Sequence, residues 1–130
     1  MARRNCYTGR YKLSKHEFLK AYHYAMCYHE WEREYEALEE TSQAITLDDM
    51  PHSHNPVNML ENVAIRRAEL AEKMKVVEDT AEEADPELSK YILKGVTDDD
   101  AKYENLNIPC SRNTYYDRRR KFYYLLNKKI

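Results

Sequence analysis

Residues 108–130 read IPCSRNTYYDRRRKFYYLLNKKI, and this stretch decides how the chain is to be read. From Pro109 onward it carries seven Lys and Arg against one acid, Asp117, a net charge of +6. The whole chain of 130 residues is net −2, so everything before Pro109 carries −8. Ser111 is a good N-cap for a helix running from Arg112 to about Asn127. Ahead of it, Ile108-Pro109 cannot continue a helix and Asn107 tolerates a left-handed backbone. The segment Thr97 to Asp100 caps a short helix through about Leu106. A short helix, a turn and a basic amphipathic helix is how a helix-turn-helix offers its second helix to the DNA major groove.

On a helical wheel Tyr115, Phe122 and Leu126 share one side of the last helix, with Leu125 beside them. That side is expected to pack around Ile92, Tyr103, Leu106 and Ile108. The opposite side carries Asn113, Asp117, Arg120 and Tyr124, with Tyr116 at its edge. Asn reads adenine with two hydrogen bonds, Arg reads guanine, and Asp accepts from cytosine N4, so this face is the expected base-reading surface. Arg118, Arg119 and Lys121 flank it as phosphate contacts that fix register without reading sequence. Ser111, Arg112 and Thr114 stand at the helix N-terminus, where backbone amides and the helix dipole favour a phosphate.

Working outward, composition excludes several classes. Charged residues make up 34% and there are only two glycines, Gly9 and Gly95, which argues for an all-α fold rather than hairpin-rich β structure. Twelve tyrosines against two phenylalanines suit thin helical layers whose aromatic rings keep a polar edge wet. Cys6, Cys27 and Cys110 are odd in number and widely spaced, matching neither a disulfide framework nor a zinc knuckle. With no signal-peptide stretch and no membrane-length apolar run, a cytoplasmic protein of a bacterial host is expected, with no membrane partner. Charge is segregated: residues 1–12 form a basic arm of net +4, which leaves −12 for residues 13–108. An acidic middle repels DNA phosphates and confines contact to the two basic ends.

Residues 13–84 read as a long helical hairpin. Ser14 and Glu17 form a capping box, stapled by Leu13 and Phe18, that starts a helix running to about residue 40. Tyr24, Tyr28, Trp31, Tyr35 and Leu38 make a broad aromatic stripe along it. Residues 41–58 lose the period and contain Pro51 and Pro56, and so predict a loop. A second helix over 59–84 repeats Leu60, Val63, Leu70, Met74, Val77, Ala81 and Ala84 at coiled-coil spacing, interrupted only by Arg67. Packing within an antiparallel hairpin and packing across a homodimer both satisfy that series, so Trp31, Tyr35 and Leu70 are the expected interface residues. Asp85-Pro86 then opens a further helix through Leu88, Tyr91 and Ile92, ending near Gly95 in a left-handed cap. Residues 85–130 form the helix-turn-helix region.

The run Glu104-Asn105-Leu106-Asn107-Ile108-Pro109-Cys110-Ser111-Arg112-Asn113-Thr114-Tyr115-Tyr116, followed by Arg118-Arg119-Arg120, resembles the C-terminal region of phage- and prophage-encoded transcriptional regulators of the ArpU/RinA type. These resemble in turn the domain of sigma factors that reads the promoter −35 element. The resemblance covers residues 86–130, a third of the chain, and its motif is moderately specific. It implies a Gram-positive phage or mobile-element source, control of late phage genes, binding of double-stranded promoter DNA and contact with RNA polymerase. Two departures stand out. The turn with Pro109-Cys110 is two residues longer than a tight helix-turn-helix turn, and the usual small residue of the first helix is replaced near Tyr103.

Other chemistry is weakly signalled. His52 with His54, and His23 with Cys27, are pairs without the further ligands that zinc requires, so neither a metal nor a cofactor is expected. No phosphate-cradling Gly loop, nucleophile elbow or metalloprotease motif is present, which points away from an enzyme. A rival reading from another class rests on the −12 middle: a mobile-element protein that inhibits a host defence nuclease by occupying its nucleic-acid channel.

Overall fold

A computed structural model describes residues 10–47 and 56–130, and the side chains of 45–47, 56 and 57 are left undescribed. Residues 1–9, which hold most of the basic arm and Cys6, lie outside the described residues, as do 48–55 with His52 and His54. The fold is all-α, with no strand among the described residues. In chain order its helices are α1 (Lys15–Met26), α2 (Tyr28–Leu47), α3 (Pro56–Ala84), α4 (Ser89–Thr97), α5 (Tyr103–Leu106) and α6 (Arg112–Lys129).

Local chemistry sets most of these boundaries. Ser14 Oγ accepts from the Glu17 amide while Glu17 accepts from the Ser14 amide, so both halves of the capping box form. The first helix does not run unbroken to residue 40. It is interrupted at Cys27, whose amide is shared among the carbonyls of His23, Tyr24 and Ala25. It resumes as α2 and continues to Leu47, well into the expected loop. There Thr41 donates its hydroxyl to the Ala37 carbonyl at 3.0 Å, which satisfies the hydroxyl without leaving the helix. Pro56 begins α3 because a first helical position needs no amide proton.

Two further boundaries correct the sequence reading. Asp85 Oδ1 accepts from the amides of Glu87 and Leu88, so 86–88 form a turn and α4 starts only at Ser89. Gly95 does not end α4 in a left-handed cap. It is helical and fully inside, and α4 runs on to Thr97. Asn107 does take the left-handed conformation, φ 52° and ψ 48°, and closes the four-residue α5. Ser111 caps α6 by accepting from the Thr114 amide at 3.2 Å.

The described helices fall into two compact units. One comprises residues up to Tyr28 together with Val76–Ile130, and the other His29–Lys75. The division differs from a hairpin of 13–84 set against a helix-turn-helix of 85–130, and α1 explains why. Its buried face, Phe18, Ala21 and Ala25, packs against α6 and α4. Phe18 meets Tyr123 edge-on at 5.1 Å, and Tyr123 meets Phe122 at 5.3 Å. Ile92, Val96, Tyr115, Phe122 and Leu126 complete the core with Val77, Thr80 and Ala81 from the end of α3. Each such apolar side chain contributes on the order of 1.5–3 kcal/mol relative to exposure.

In the second unit α2 and the first part of α3 run antiparallel. Arg66 makes a two-pronged pair with Glu34 at 2.6 and 3.1 Å and also reaches Glu69, and Arg67 approaches Glu39 at 4.0 Å. Arg67, the residue that interrupts the heptad series, lies 4.3 Å over the Tyr35 ring, and Lys73 lies 5.6 Å over Trp31. Leu70 is completely buried within a single chain, so its burial needs no second copy.

Candidate nucleic-acid interface

α6 is seated by one face and open on the other. Tyr115, Phe122 and Leu126 are buried as the wheel requires. Their main neighbours, however, are α1 and α4 rather than the short α5. α5 is linked to the start of α6 through three contacts. Tyr103 donates its hydroxyl to the Cys110 carbonyl at 2.5 Å, the Tyr103 and Tyr115 rings lie 5.9 Å apart, and Glu104 pairs with Arg112. Tyr103 therefore spans the longer turn and supports it.

Gly95 sets the depth of this packing. A Cβ built on it would stand 2.1 Å from Tyr115 Oη, so only glycine lets α4 approach so closely. The Tyr115 hydroxyl is buried without a hydrogen-bond partner, and burial pushes its pKa up to about 12.

The expected site residues divide sharply. Ser111, Arg112, Asn113 and Thr114 are exposed at the start of α6. Tyr116, Asp117, Arg120, Lys121 and Tyr124 are half-exposed along the same solvent side. Arg119 is a correction: it is only 7% exposed and cannot flank the helix as a phosphate contact. Its guanidinium lies 5.8 Å from the Tyr115 ring and 5.5 Å from that of Tyr116, with Nη2 donating to the Tyr123 hydroxyl at 3.4 Å. Burial opposes the charge, yet the tyrosines Tyr123 and Tyr115 hold this guanidinium above its ordinary pKa. The i, i+4 spacing of Tyr115, Arg119 and Tyr123 places all three on the buried face, which was the overlooked signal.

Arg118 is half-exposed but already paired. It pairs with Asp85 at 3.2 Å and with Asp117 at 2.9 Å, tying α6 to the turn after α3. Asp117 in addition approaches Arg120 at 3.7 Å. Asp117 is thus shared between two arginines. Lys129 is paired with Glu83 at 2.8 Å.

Among the described residues, Lys121 and Lys128 on α6 and Arg10 and Lys12 of the arm make no ion pair with a carboxylate. The structure brings these two sets together, because the Tyr11 ring lies 5.8 Å from that of Tyr124. Burial, followed by the neighbouring Asp85 charge, raises the pKa of the Cys110 thiol. No group of three or more His, Cys, Asp or Glu side chains is placed to hold a metal ion among the described residues, and no helix there is long and apolar enough to cross a membrane.

No protein-family model, curated protein or solved structure matches this chain.

Proposed function

We propose that this protein is a phage or mobile-element transcriptional regulator that binds double-stranded promoter DNA through the solvent face of α6. The observation that carries the reading is the seating of that helix. One side is locked by Tyr115, Phe122, Tyr123 and Leu126, while Ser111, Arg112, Asn113 and Thr114 are exposed at its start, after a left-handed turn at Asn107. A rigid helix with an exposed polar N-terminal turn is suited to entering a major groove. Asn113 then reads a base edge and Arg120, held by Asp117, reads a second. Ser111, Arg112 and Thr114 meet a phosphate at the helix N-terminus. The resemblance of residues 104–120 to ArpU/RinA-type regulators supports the same reading, with RNA polymerase as the partner it implies.

Selection on random duplex DNA tests this. A regulator enriches a motif, and Asn113→Ala relaxes one position of it by about 1–3 kcal/mol while leaving overall affinity nearly intact. Failure of the folded wild type to enrich any motif at low salt would transfer the proposal to an interaction protein acting on a defence nuclease. The exposed carboxylates Glu36, Glu40, Glu61 and Glu72 of α2 and α3 favour that rival.

A further inference from the structure

The arm and the last helix, separated by nearly the whole chain, meet at a cationic ledge. Tyr11 and Tyr124 pack with their rings tilted by 56°. Arg10 lies 5.1 Å over Tyr11, and Lys128 lies 4.2 Å over Tyr124. Lys121 stands one turn before Tyr124 and Lys128 one turn after it, so the three share a stripe. Lys12 is exposed beside Tyr11 in the chain. Four positive charges on this ledge repel one another, with Asp117 one turn before Lys121 as the carboxylate on the same stripe, and a tyrosine face offsets that repulsion only weakly at an exposed site. The arrangement becomes favourable when phosphates are supplied.

Length indicates where those phosphates lie. From Asn113 to Lys128 the helix rises about 22 Å, at roughly 1.5 Å per residue. A major groove is only about 12 Å wide. When the start of α6 occupies the groove, its far end and the docked arm extend past the groove edge to the phosphate row. We propose that Arg10 and Lys12, seated by Tyr11 on Tyr124, join Lys121 and Lys128 in a second contact that grips the duplex backbone beside that groove. This inference rests on the DNA-binding reading. Duplex DNA is favoured over a single strand because a cation and a neighbouring ring already occupy the tyrosine faces on which unpaired bases would stack.

Salt-dependent binding of the full chain to a random-sequence duplex, followed by fluorescence anisotropy, is the test. Each phosphate contact contributes about 0.9 to the slope of log affinity against log salt, so R10A/K12A should reduce the slope by about 1.8, as should K121A/K128A. The loss should be equal for all sequences, with the selected motif unchanged. Tyr11→Ala, which keeps every charge, should lower the slope as R10A/K12A does, because it unseats the arm. Arg10, Lys12 and Lys128 are exposed and paired to no acid, so these variants should keep the wild-type melting temperature. Unchanged slopes in both charge variants, while the wild type still selects a motif, would overturn the ledge and leave the regulator reading intact. Tighter binding of a single-stranded competitor would overturn the duplex assignment. No DNA binding by the folded wild type at low salt would remove both together.

Discussion

The two compact units are built from similar residues and held in different ways. In the unit formed by α1, α4, α5, α6 and the end of α3, aromatic and aliphatic side chains are fully enclosed: Phe18, Tyr115, Phe122, Ile92, Leu126, Val77 and Val96. In His29–Lys75 the one fully enclosed large side chain among the described residues is Leu70. Its aromatics, Trp31 and Tyr35, are half-exposed beneath Lys73 and Arg67. The first unit is a dry core, and the second is a charged hairpin fixed around a single leucine. The tightest packing is therefore concentrated around α6.

The largest effect that tests this contrast is Leu70→Asp. It removes about 2–5 kcal/mol of packing and adds the desolvation of an unpaired carboxylate. Hydrogen exchange should show α2 and the first part of α3 losing protection while the near-ultraviolet signal of the Phe122–Tyr123 core persists. Equal loss in both units would show that they do not differ in the way described. Phe122→Ala, at about 3–5 kcal/mol, should act in reverse and remove cooperative melting of the aromatic unit, since a small domain holds only about 5–15 kcal/mol in all.

Gly95→Ala should cost about 1–3 kcal/mol by overpacking, because the enclosed Tyr115 ring cannot swing away. Tyr115→Phe removes an unpartnered buried hydroxyl and leaves Cζ 3.4 Å from the new methyl group, so the double variant should regain most of the lost melting temperature. No rescue would mean that Gly95 serves some other purpose.

The smallest effects should appear in the hairpin's ion pairs. The Arg66–Glu34 and Arg67–Glu39 pairs are substantially exposed, so each adds little and fades at high salt. Molar salt should speed amide exchange in α2 and leave α6 unchanged. The Arg66 hydrogen bond holds Glu34 below its ordinary value of 4.5. Its stabilisation is therefore complete above that value and disappears as pH falls through the lower folded one. A carboxyl titration that places Glu34 at or above 4.5 would remove this pair from the account.

What the sequence revealed is mainly what a few neighbouring residues decide. Ser14 with Glu17, Asn107 and Ser111 set their own backbone and are readable from their spacing alone. The depth of Gly95 and the pairing of Arg118 with Asp85 depend on partners far along the chain. No local pattern carries them. Arg119 is the instructive miss at the site: a run of three arginines looks like one charged face, yet the helix rotates about 100° per residue and sends the middle one among tyrosines. The docking of Tyr11 on Tyr124 was likewise invisible, although the basic character of both ends was plain from composition.

The close approach of α4 to α6 also has an evolutionary consequence. Positions 95 and 115 share one volume, so neither drifts independently. A lineage that gains a side chain at 95 must first shorten the one at 115, and the tyrosine is free to change only in one direction. Among related chains the two positions should co-vary, with glycine opposite tyrosine and alanine opposite phenylalanine or smaller.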